Sequence, residues 1–198
     1  YYKHHKHQIS GINKLLARIS QTIHTVERYK GNLDGKSLNI ERDEFLDRVQ
    51  LIHVTELIND CISIINLLTE IEPYVFEIGI EGRLPLMRLN SIKDDVDNML
   101  QLFVKDYCSQ PLSDPEVIRL IDRLETVTPA DHEKIADILG WAITGEASLY
   151  DVTVSPRGYR LLKQVAKIPP GTADKVVEHF GDLVHLCMAN EDNLLEID

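Results

Sequence analysis

The residues best suited to chemistry lie near the C-terminal end, where Arg157, Arg160, Lys163 and Lys167 stand with no acidic residue between Asp151 and Asp174. They run into Ile168-Pro-Pro-Gly-Thr172 and Lys175. Cations beside a tight turn that opens a helix suit phosphate binding, because the first amides of a helix lack internal partners and side-chain charge reinforces the helix-end polarity. This chemistry positions a nucleic-acid backbone without reading bases. The expected phosphate-facing set is therefore Arg157, Arg160, Lys163, Lys167 and Lys175 with the Gly171/Thr172 turn. A solvated helix face is the plain alternative on charge alone.

Other chemistry is poorly supported. His4, His5 and His7 have no Cys, Asp or Glu nearby to complete a four-coordinate metal site. Asp94-Asp95-x-Asp97 reads as dipole compensation in the first turn of a helix. No G-x-S-x-G, H-E-x-x-H, G-x-x-x-x-G-K-[ST] or G-x-G-x-x-G motif is present. The three cysteines, Cys61, Cys108 and Cys187, are far apart among apolar neighbours and read as buried thiols in a reducing compartment. Expected site residues are thus none for catalysis and none for metal.

The elements that must position the basic segment are helical. The 198 residues are 43% hydrophobic and 27% charged, which excludes disordered and collagenous chains. No uninterrupted apolar run approaches the roughly 18–20 residues of a membrane span, so no membrane partner is expected. The net charge of -11 argues against binding nucleic acid over the whole surface. It is unevenly placed: residues 1–30 carry six Lys/Arg against one Asp/Glu, and residues 31–150 carry ten against 23.

Apolar residues from Ile12 to Val26 repeat at helical spacing, giving a helix over residues 10–30 that Gly31 and Gly35 break. A second helix or broken pair is expected over residues 42–71, ended by Pro73, with residues 74–80 extended. Ser91 resembles a helix start. Asp114-Pro115, Thr128-Pro129 and Ser155-Pro156 place a cap before proline. The last opens a helix to about Lys167; Thr172, Asp182 and Asn190 cap later ones. Trp141 is expected to anchor between helices. Residues 1–9 lack helical periodicity and are expected to form an orphan strand whose partners lie elsewhere.

Helix (156–167), turn (168–172) and helix (173–180) outline a helix–hairpin–helix unit. It is degenerate: the two glycine positions of the usual hydrophobic-Pro-Gly-x-Gly turn hold Pro170 and Thr172. Such hairpins act in pairs, so this half is expected to contact DNA weakly or to await a second.

The chain resembles the DisA family of bacterial diadenylate cyclases. The resemblance is sharpest in Thr25-Val-Glu-Arg-Tyr-Lys30, Glu72-Pro-Tyr-Val-Phe-Glu-Ile-Gly79 with Glu81-Gly-Arg83, Val104-Lys-Asp-Tyr107, and Val154-Ser-Pro-Arg-Gly-Tyr-Arg-Leu-Leu162 with Ile168-Pro169. It implies a mainly α fold, a helical spine followed by a partial helix–hairpin–helix domain. Residues 1–30 would be the last strand and joining helix of a cyclase domain, 31–152 the linker, and 153–198 the partial DNA module. It implies a parent protein that condenses two ATP into cyclic di-AMP with Mg2+ or Mn2+, assembles as an octamer through its cyclase domains, and lowers synthesis on branched DNA in the bacterial cytoplasm near the nucleoid. The family's Asp-Gly-Ala and Arg-His-Arg motifs are absent. The chain is therefore expected to be a piece of the longer protein, without cofactor or catalysis of its own, partnered by its cyclase domain and by branched or double-stranded DNA. The rival is a free-standing helical adaptor that binds protein.

Overall fold

A computed structural model describes residues 2–43, 48–165, 168–169, 171–195 and 197, with side chains in the first helix described for residues 11–40. Among these the fold is mainly α, with nine α-helices and one two-stranded sheet. In order they are α1 (Tyr2–Asp43), β1 (Val49–Gln50), α2 (Leu51–Glu77), a 3-10 turn (Gly79–Gly82), α3 (Arg83–Tyr107), α4 (Asp114–Glu125), α5 (His132–Ile138), β2 (Thr153–Val154), α6 (Tyr159–Gln164), α7 (Thr172–Phe180), α8 (Leu183–Met188) and α9 (Glu191–Leu195).

The segments fall into two compact units, Tyr1–Gly35 with Asp60–Asn98, and Lys36–Asn59 with Met99–Asp198. The first is a helical bundle. Ile19, Ile23, Val26 and Leu33 of α1 are buried, as are Cys61, Ile64, Leu68 and Val75 of α2 and Leu89 and Val96 of α3. The Arg18 guanidinium lies 5.0 Å over the Tyr74 ring, and Glu27 pairs with Arg88. In the second unit β1 pairs antiparallel with β2, Val49 opposite Val154 and Gln50 opposite Thr153. Leu57, Ile58, Leu100, Phe103, Leu124 and Leu139 supply much of its core.

Several expected boundaries are corrected. The N-terminal stretch is helical from Tyr2 onward and is no strand. A helix satisfies its own amides, whereas an extended segment needs a partner. Gly31 and Gly35 do not break α1. Between them Leu33 is fully buried, and Lys30 grips both oxygens of Asp34 at 2.7 and 2.8 Å one turn on. Pro73 lies inside α2: Ile71 and Val75 on either side are buried, and that packing outweighs the cost of a missing amide. Residues 74–77 are accordingly helical, and the 3-10 turn follows. α3 begins at Arg83, so Ser91 lies within it.

The caps are also shifted. Ser113, not Asp114, caps α4, with its backbone N–H donating to Glu116 at 2.8 Å. Asp131, not Thr128, caps α5 and accepts from the Lys134 N–H. Asp182 and Asn190 cap α8 and α9 as expected. Among the described residues, α2 is long and apolar enough to cross a membrane by length and composition, but 61% of its apolar window is buried within the fold. That is how a core helix behaves.

Candidate nucleic-acid interface

The C-terminal helices are held by one carboxylate. Asp106 projects from the last turn of α3, 1% exposed, and accepts from the N–H groups of Gly158 at 3.0 Å, Tyr159 at 2.7 Å and Arg160 at 3.3 Å. These are the amides that open α6. Its N-cap residue, Gly158, has no side chain to cap with and sits at φ 109, so Asp106 performs the capping from another helix. Arg160 Nε donates to the same carboxylate at 2.9 Å. Burial pushes the Asp106 carboxyl up, and the Arg160 charge with these donors pulls against that shift.

The Arg160 guanidinium also donates to the Tyr107 hydroxyl at 2.6 Å and stacks 5.0 Å from the Phe103 ring centre. A planar delocalised cation suits such a sandwich better than an ammonium would. Arg157 is committed elsewhere: it donates to the Cys108 and Ser109 carbonyls at 3.0 Å and to Gly181 O at 3.4 Å. It thereby ties the end of α3 to the end of α7. Its Nε is buried with no hydrogen-bond partner. Lys105, one residue before Asp106, pairs with Asp114 at 2.6 Å and Asp174 at 3.4 Å and lies 5.0 Å over the Tyr159 ring.

Beyond this latch the hairpin forms. α6 spans only Tyr159–Gln164, shorter than the expected 156–167. Thr172 N–H donates to Pro169 O at 3.2 Å, and Gly171 takes φ 79, ψ -14, a left-handed conformation that favours glycine. α7 starts at Thr172 with Gly171, not Thr172, as its N-cap. Tyr159, Leu162, Val176 and Val177 bury together and hold α6 to α7.

The structure thus separates the seven candidate residues. Lys163, Gly171 and Lys175 are exposed on the hairpin helices and turn, with Thr172 half-buried beside them. Arg157 and Arg160 are turned into the fold. Lys167 and Pro170 lie outside the described residues, and the side chains of His4, His5 and His7 do too. Among the described residues no three His, Cys, Asp or Glu side chains gather as a metal site. A cleft beside α7 is lined by Asp114, Asp174 and Glu178 with Arg157 and Tyr159; its three carboxylates make it unsuited to a phosphate. Sequence reasoning missed Asp106. Its signal was a charge three residues after Phe103, on the apolar face of α3. Trp141, expected as a core anchor, is only half-buried, but its Nε1–H ties it to the end of α3 by donating to Tyr107 O at 2.7 Å.

A mainly helical protein whose last long helix latches a hairpin of short helices is the class this geometry defines. Residues 9–148 match the family model described as the DisA bacterial checkpoint controller linker region, and the chain belongs to the DisA family. It is 33% identical over its full length to the DNA integrity scanning protein DisA of Thermotoga maritima, covering 56% of that protein. The proteins of the same name from Clostridium perfringens and Streptomyces coelicolor are each 33% identical over 93% of this chain, which covers 51% and 50% of them. The chain spans about half the length of the curated relatives it matches.

Proposed function

We propose that this chain is the helical connector and first half of the helix–hairpin–helix DNA module of a DisA-like, cyclic-di-AMP-forming diadenylate cyclase of the bacterial cytoplasm. It holds a cyclase domain and the DNA module in fixed register and passes DNA occupancy from one to the other. It performs no catalysis itself; ATP and Mg2+ or Mn2+ belong to the cyclase domain, as does octamer assembly. The observation that carries this reading is the hairpin of α6 and α7 around Gly171, fastened to α3 through Asp106. Lys163 and Lys175 sit at exposed positions of that hairpin and act as weak phosphate contacts on branched or duplex DNA. Arg157 and Arg160 are positioning residues that hold the hairpin.

Fluorescence anisotropy with a labelled four-way junction tests the assignment. Lys163→Gln with Lys175→Gln is expected to weaken binding by about tenfold or more, since each phosphate contact is a charge-assisted bond, with circular dichroism showing the helicity retained. Absence of binding by the parent chain at low salt, or indifference to the double substitution, would favour an adaptor that docks protein.

A further inference from the structure

Where α2 turns into α3, four large apolar side chains face solvent. Phe76, Ile80, Leu84 and Met87 are 63%, 79%, 78% and 69% exposed. Leu84 and Met87 lie one turn apart on the same face of α3. The turn between the helices has a fixed shape: any Cβ at Gly82 would collide with the Val75 carbonyl, and Gly79 holds a left-handed φ of 70. The four side chains together expose on the order of 500 Å2, the size of patch that on a monomer is usually functional.

The neighbouring charges say what covers it. Glu77, Glu81 and Arg83 are exposed beside the apolar residues. Two carboxylates repel an anionic membrane or a nucleic acid. A rim that carries both signs within three residues is complementary to itself: a two-fold axis through the patch sets Arg83 of one copy against Glu81 of the other. We propose that this helical tip is a self-association surface, on which two copies of this chain pair by burying Phe76, Ile80, Leu84 and Met87 face to face. The surface lies outside the DNA module, and its role is independent of the function proposed above. Two such patches bury about 1,000 Å2, the lower bound for a specific interface, so the pairing is weak.

Sedimentation equilibrium of the 198-residue chain is expected to show a monomer–dimer equilibrium with a dissociation constant on the order of 10–100 µM. Ile80→Glu weakens it at least tenfold. Arg83→Glu and Glu81→Arg each weaken it severalfold, and the two combined restore it, because the exchanged charges again meet across the axis. Circular dichroism checks that each variant keeps its helicity; the charge pair decides the matter if Ile80→Glu does not fold. A monomer at every concentration overturns the proposal. So does a dimer that a folded Ile80→Glu leaves intact, or a double variant no stronger than the singles. Binding to phosphatidylglycerol vesicles without self-association would assign the patch to a membrane instead.

Discussion

Asp106 joins the hairpin to α3 more than any other single side chain described. Its carboxylate takes three backbone amides and one guanidinium in a site with almost no solvent. Asp106→Asn is isosteric yet replaces one acceptor oxygen with a donor facing other donors. It is expected to destabilise the chain by about 3–5 kcal/mol, the usual range for breaking a buried pair. Arg160→Gln removes the other half. The double variant should lose less than the sum of the singles, by about 1–3 kcal/mol of coupling, read from urea unfolding. Additive losses would mean the two groups do not act as a pair. The thiols give an independent check on the core. Burial pushes the Cys61 thiol far up, and Cys108, also buried, donates its S–H to Leu139 O at 3.2 Å. Cys187 is exposed. Since thiolate is the reactive form, Ellman's reagent should titrate one cysteine quickly in the native chain and all three after denaturation.

At the scale of elements, glycines of one residue type carry opposite expectations. Gly31 and Gly35 sit in α1 with nothing within 4 Å of an added methyl group. Gly31→Ala and Gly35→Ala should each stabilise by about 0.5–1 kcal/mol, through helix propensity and a less flexible unfolded chain. Gly140 follows α5 at φ 86, where a Cβ would strike Ser109; Gly140→Ala should cost about 1–3 kcal/mol. Thermal unfolding of the three variants distinguishes the signs. The same contrast explains what was legible in the sequence. The helical class, the caps at Asp182 and Asn190 and the anchor at Trp141 are local features, written in spacing and residue type. The passage of α1 through Gly31 and of α2 through Pro73 depends on what Leu33, Ile71 and Val75 bury against, which no local pattern reports. The basic segment was legible as charge, but the inward commitment of Arg157 and Arg160 was not, because partners such as Ser109 and Asp106 lie 48 and 54 residues away on and just after α3.

For the whole molecule, those commitments limit how the charge can meet DNA. Residues 31–150 hold 23 Asp/Glu against ten Lys/Arg, so that stretch repels a polyanion, and attraction is left to the hairpin and to the basic first 30 residues. On duplex DNA each neutralised phosphate contributes about -0.9 to the slope of log affinity against log salt. If all five hairpin cations faced the DNA, the slope would be about -4.5. With Arg157 and Arg160 held by carbonyls and by Asp106, Lys163 and Lys175 are the cations at exposed described positions, and Lys167 can add at most one more contact. The expected slope is therefore about -2 to -3, so that doubling the salt weakens binding roughly four- to eightfold. Anisotropy titrations between 50 and 200 mM salt, about a fourfold range, resolve the difference. A slope near -4.5 would mean that Arg157 leaves its carbonyl partners and Arg160 leaves Asp106 to meet phosphate, and that the latch opens when DNA binds. A slope of -2 to -3 that Arg160→Gln leaves unchanged would place Arg160 on the holding side of the hairpin, transmitting the position of α7 to α3 without touching DNA.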